Sequence, residues 1–164
     1  MCHNSRVKPN ISNARVEELI RLTQEEAEIA TSEGNIPIAC VITDNQGNVL
    51  ARTHNTQNTD FDPSAHAEIN ALRILGQQRK TRYLDGLVVF GNAEICSMCA
   101  SACIKAHIYA FYYGAPAEQS MDPWLPIADI AKVSRETLYI EGPILGEECA
   151  AQIVRGRASL NNVL

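Results

Sequence analysis

"SAHAEINALRIL", residues 64–75, sets His66 and Glu68 two positions apart where an apolar, helix-like run begins. An ordinary surface helix needs neither group there. A second stretch answers the first. In "NAEICSMCASAC", residues 92–103, Cys96 lies 30 positions past His66 and forms a Cys-x-x-Cys pair with Cys99. Between the two, "GLVVFG" reads as a short, wholly apolar strand of the kind buried at the centre of a sheet. Helix, buried strand and helix in this order point to an α/β fold.

Working outward, "IACVIT" and "VLARTH" flank the polar turn "DNQGN" and read as a β-hairpin. Before them, "SNARVEELIRLTQEEAEIATSEG" opens with the cap-type residues Ser12 and Asn13. Val16, Leu19, Ile20, Ala27 and Ala30 recur at helical spacing, Gly34 suits the helix end, and Pro37 rules out continuation. The loop "NTQNTDFDP" leads into the His66 helix, which runs to about Gln78. Beyond the cysteines, "HIYAFYYG" reads as a strand, followed by a Pro-containing loop and the short segment "LPIADIAK". A strand-like "TLYIE" and a closing helix "GEECAAQIVRG" complete the chain. This order predicts a three-layer α/β/α sandwich. One domain spanning 1–164 is expected, with 1–11 and 158–164 loosely held.

Composition narrows the classes. The 164 residues carry a net charge of −5, which argues against a general nucleic-acid binder with a basic face. The one basic cluster, "QQRKTR" at 77–82, reads as a solvated helix end where cations suit the dipole. No apolar run approaches the ~20 residues of a membrane span, and "MCHNSRVKPN" lacks a signal-peptide core, so a cytoplasmic protein is expected. Six cysteines in such a chain favour metal or redox chemistry over a disulfide framework. Cys2, Cys40, Cys103 and Cys149 are scattered singly, and Cys40 and Cys103 read as small buried hydrophobes. Only Cys96 and Cys99 form a metal-type pair.

Zinc favours tetrahedral nitrogen and sulfur ligands, and a catalytic zinc keeps one position for water. His66, Cys96 and Cys99 supply three ligands and leave the fourth place open. The free N–H groups of a first helical turn favour thiolates. Glu68 is then spaced to move protons rather than to ligate, the arrangement of the zinc deaminases. A lone Cys-x-x-Cys also serves structural and redox sites, and a lone His-x-Glu is often only a helix-start carboxylate. Together, each opening a predicted helix, they are far more specific. A structural zinc would need a fourth protein ligand, and His3, His54 and His107 offer none in an obvious position.

"DPSAHAEINALR" with "EICSMCASAC" resembles the cytidine deaminase-like superfamily, in the branch of guanine, cytosine and tRNA adenosine deaminases. The resemblance runs from "GNIPIACVI" to "IYAFYYGA", and the closing "YIEGPILGEECAAQI" looks like the tRNA adenosine branch. It implies a central mixed five-stranded sheet between helices, and a homodimer. By the same resemblance His66, Cys96 and Cys99 match the zinc ligands and Glu68 the proton shuttle. Asn55, seven positions before Asp62, matches the asparagine that contacts substrate, and Ala67 would lend a backbone N–H near the ring. Asp122 resembles an acidic residue of the late guanine deaminase pocket. Trp124 either stacks on a substrate ring or packs under a loop. Two departures stand out. Ile95 replaces the proline usual before the first cysteine, and Lys105 stands where guanine deaminases tend to carry tryptophan.

These readings lead to a zinc-dependent aminohydrolase acting on a free nucleobase or similar small amino-heterocycle, guanine being the first single choice. The expected partner is that small molecule, with no nucleic acid and no membrane. A tRNA adenosine deaminase is the alternative within the family. A non-catalytic zinc-bearing interaction protein is the alternative outside it, opposed by the presence of Glu68.

Overall fold

The computed structural model describes residues 8–118 and 125–161. Its first helix, α1 (Asn13–Ser32), starts where Ser12 Oγ accepts a hydrogen bond from the Arg15 N–H, satisfying one of the free donors of the first turn. It ends as Gly34 turns left-handed at φ +85°, a conformation that glycine adopts without a side-chain penalty. Strands β1 (Ala39–Thr43) and β2 (Val49–His54) form the antiparallel hairpin read from the sequence. The Asp44 carboxylate closes its turn by accepting from the Gln46 and Asn48 N–H groups, and Gly47 supplies the positive φ.

A one-turn helix α2 (Gln57–Asp60) interrupts the stretch expected to be loop, and α3 (Ala67–Arg79) follows. Strand β3 (Val88–Ala93), helix α4 (Ser97–Lys105) and strand β4 (Ala110–Ala115) come next. Helix α5 (Ile127–Val133), strand β5 (Tyr139–Glu141) and helix α6 (Gly146–Asn161) complete the described chain. Helix α6 includes 158–161 and Ile11 is buried, while residues 1–7 and 162–164 of the stretches expected to be loosely held lie outside the described residues.

The sheet has the order β2-β1-β3-β4-β5. β1 pairs antiparallel with β2 and β3, whereas β3–β4 and β4–β5 are parallel, so the sheet is mixed as the resemblance implied. Alternation along the strands divides the core in two. Cys40, Ile42, Val89 and Phe111 face α3, α4 and α5, while Val41, Val88, Phe90 and Tyr112 face α1 and α6. These are the three layers. Buried Asn92 on β3 accepts from the Ala39 N–H and donates to the Pro37 carbonyl, pinning the entry of β1 beside the end of β3. That corner is where the site forms. Among the described residues no helix is long and apolar enough to cross a membrane.

Candidate active site

Two helix starts meet at the carboxyl end of β3. His66 is the N-cap of α3 and Cys96 the N-cap of α4, both in extended conformation. Thr53 donates to the Ala67 carbonyl at 2.7 Å and Asn70 donates to the His54 carbonyl at 3.1 Å, which fastens the start of α3 to the end of β2. On the other side, buried Ile95 packs into the core with Cys99 and Ala100. An apolar side chain thus anchors the β3–α4 junction where the family usually carries proline.

The ligand atoms of His66, Cys96 and Cys99 all lie within 4.8 Å of one another, with Cys96 Sγ 3.6 Å from His66 Nδ1. Sulfur and nitrogen ligands at ~2.3 and ~2.0 Å from a tetrahedral zinc stand about 3.5 Å apart, so the donor set and its spacing fit that ion. The thiols already behave as a ligand pair. The Cys99 S–H and then the His66 ring hold the Cys96 thiol down at about 4, against the effect of burial. Its hydrogen bond to Cys96 and its burial push Cys99 strongly upward in turn. The same Cys96 contact raises His66 above its ordinary value, opposed by burial. Glu68 is 4% exposed, and desolvation followed by the negative charge of Cys96 raises its pKa. It lies outside the three-residue ligand group.

A cavity of about 330 Å³ opens onto this cluster, with Asn55, His66, Glu68 and Cys96 in its wall. Asn55 is 2% exposed, at the turn from β2 into α2. Ala67 is buried at the first position of α3, where its carbonyl is held by Thr53. Asp122 and Trp124 lie outside the described residues. Lys105 sits at the opposite end of α4 from the cysteines, beside Arg82, Tyr83 and His107.

The wall residues that sequence reasoning missed include Gln57, Glu94 and Arg157. The two Glu94 oxygens accept separately from the Ala117 and Ile127 N–H groups, both at 2.9 Å, joining the exit of β4 to the start of α5. Arg157 pairs with Glu118 at 3.0 Å. Only Glu94 carried a signal, as a carboxylate inside the short apolar junction before Cys96. Gln57 looks like an ordinary loop residue and Arg157 like an ordinary polar helix residue until the fold places both in the wall.

This combination of fold and donor set defines a hydrolytic, zinc-dependent deaminase acting on carbon–nitrogen bonds. Residues 13–115 match the cytidine and deoxycytidylate deaminase zinc-binding region, and the chain belongs to that family. It is 29% identical over 139 residues to the tRNA-specific adenosine deaminase of Haemophilus influenzae, covering 84% of this chain and 80% of that one. A structure solved in a study of A-to-I editing by tRNA:A34 deaminases superposes with a TM-score of 0.74 at 26% identity, covering 82% of this chain and 98% of the other. The guanine deaminase of Nitrosomonas europaea shares the fold, with a TM-score of 0.73 at 19% identity over 96% of this chain and 94% of that one.

The expectation of no nucleic-acid partner is overturned by the tRNA adenosine deaminases among these relatives, which are named for action on tRNA. Net charge is a sum over the whole surface. A flipped nucleotide is gripped locally, so an overall charge of −5 does not exclude an RNA substrate.

Proposed function

We propose that this chain deaminates an adenosine of transfer RNA, at the wobble position, giving inosine and ammonia. The observation that carries the reading is the similarity to a tRNA-specific adenosine deaminase along 84% of the chain. The sequence reading ranked free guanine first, but the guanine deaminase of Nitrosomonas europaea is only 19% identical and supports the fold alone.

In this reading His66, Cys96 and Cys99 hold zinc, which when bound supplies Lewis-acid activation of a water at the place left open. Glu68 would pass one proton of the attacking water to the ring nitrogen beside the amine-bearing carbon as the C–O bond forms, then carry the second, released as that C–O bond becomes a carbonyl, to the amine, which leaves as ammonia. Its burial two residues from His66, outside the ligand group, supports this role. Asn55 binds and orients the ring from the cavity wall.

The test is incubation of zinc-loaded protein with a tRNA anticodon stem-loop carrying adenosine at the wobble position, with free guanine assayed in parallel. Inosine in the RNA, measured by mass spectrometry of digested nucleosides, is the expected result. Ammonia from guanine with no inosine in the stem-loop would overturn the reading.

A further inference from the structure

Asn55 and Gln57 are joined by a chain of three hydrogen bonds whose direction is fixed at both ends. The Gln57 backbone N–H donates to Asn55 Oδ1 at 3.0 Å, Asn55 Nδ2 donates to Gln57 Oε1 at 2.7 Å, and Gln57 Nε2 donates to the Pro63 carbonyl at 2.8 Å. A backbone N–H can only donate and a backbone carbonyl can only accept. The first forces oxygen, not nitrogen, onto the Gln57 side of Asn55. The last forces the Gln57 NH2 toward Pro63, which leaves its oxygen for Asn55. Neither amide can flip without turning two of the three bonds into repulsions. The backbone of Asn55 is held as well, since its N–H donates to the Ile38 carbonyl at 2.9 Å.

Each Asn amide has two acceptor lone pairs and two donor hydrogens. Gln57 occupies one of each, and Asn55 stands in the wall of the cavity. We propose that Gln57 is a positioning residue that fixes Asn55 so that a remaining acceptor lone pair or donor hydrogen of its amide meets the substrate ring in a set orientation. The matching chemistry is a heteroaromatic ring whose edge offers a ring-nitrogen acceptor or an N–H donor, as the N7/N6 edge of adenine does. This inference rests on the tRNA adenosine reading for the identity of the ring, but not for the locking of Asn55.

Gln57→Met keeps the length of the side chain and removes both of its amide bonds, while the backbone bond to Asn55 remains. With the anticodon stem-loop, kcat/KM should fall about tenfold, the loss expected for one misaligned hydrogen bond, and appear as a higher KM at nearly constant kcat. In an Asn55→Ala background the same change should cost less than about twofold, because the two residues act as one unit. Gln57→Glu keeps an acceptor for Asn55 Nδ2 and should recover part of the loss. A second readout needs no substrate. Hydrogen exchange of the Asn55 side-chain amide, followed by NMR, should be slow in the wild type, at least about tenfold faster in Gln57→Met, and slowed again in Gln57→Glu. A wild-type protein that makes no inosine but whose Asn55 exchange still depends on Gln57 would remove the substrate reading and leave the positioning intact. Exchange indifferent to Gln57→Met, or a kinetic loss that persists in full without Asn55, would overturn the role of Gln57.

Discussion

At their N-terminal ends α3 and α4 gather His66, Glu68, Cys96 and Cys99, while their C-terminal ends carry Arg79, Lys80 and Lys105. Both ends follow the helix dipole, with anionic groups at the starts and cations at the finishes. They differ in desolvation. Arg79, Lys80 and Lys105 are exposed, so their charges remain hydrated. The other end keeps Glu68 buried against a thiolate, which raises its pKa through desolvation first and the Cys96 charge second. A buried carboxyl facing a like charge opposes stability. Charge placement alone does not mark a site, whereas charge held out of water against its own preference does.

The largest effect is expected at the metal end. Cys96→Ala should lose nearly all bound zinc, measured by elemental analysis, together with all detectable deamination. A variant that keeps stoichiometric zinc would remove the ligand assignment. A smaller effect is expected where the site meets the surrounding structure. Glu94→Gln places an NH2 against either the Ala117 or the Ile127 N–H, and should lower stability by about 2 kcal/mol in chemical denaturation with zinc retained. An unchanged denaturation midpoint would show that the Glu94 tie is dispensable. The smallest effects belong at the far end. Lys80→Ala and Lys105→Ala should each shift stability by less than about 0.5 kcal/mol and leave deamination of the stem-loop within about twofold. A large kinetic loss from either would make that end functional too.

How much of this was legible depended on sequence distance. His66 with Glu68, and Cys96 with Cys99, are local spacings on helix starts, so their chemistry could be read before the fold was known. The layer order was legible because hydrophobic periodicity is also local. Helix α2 was hidden, since Gln57–Asp60 is polar and lacks an apolar face. The wall was hidden for another reason. Arg157 reaches it from α6 and Glu94 from the β3–α4 junction, 63 positions apart (157 − 94). No local pattern relates the two. The substrate was the least legible part, because an overall charge does not report a local surface, and Trp124 and Asp122 lie outside the described residues.

In the proposed mechanism Glu68 serves proton transfer and the three ligands hold the metal. Glu68→Gln separates these roles in one preparation, with zinc counted per chain and inosine formation timed on the same sample. The account predicts zinc at the wild-type level and turnover reduced by about 10²–10⁴-fold, the range of a general acid–base group. Turnover within a few-fold of wild type at full zinc occupancy would contradict it and assign the proton transfers to another residue.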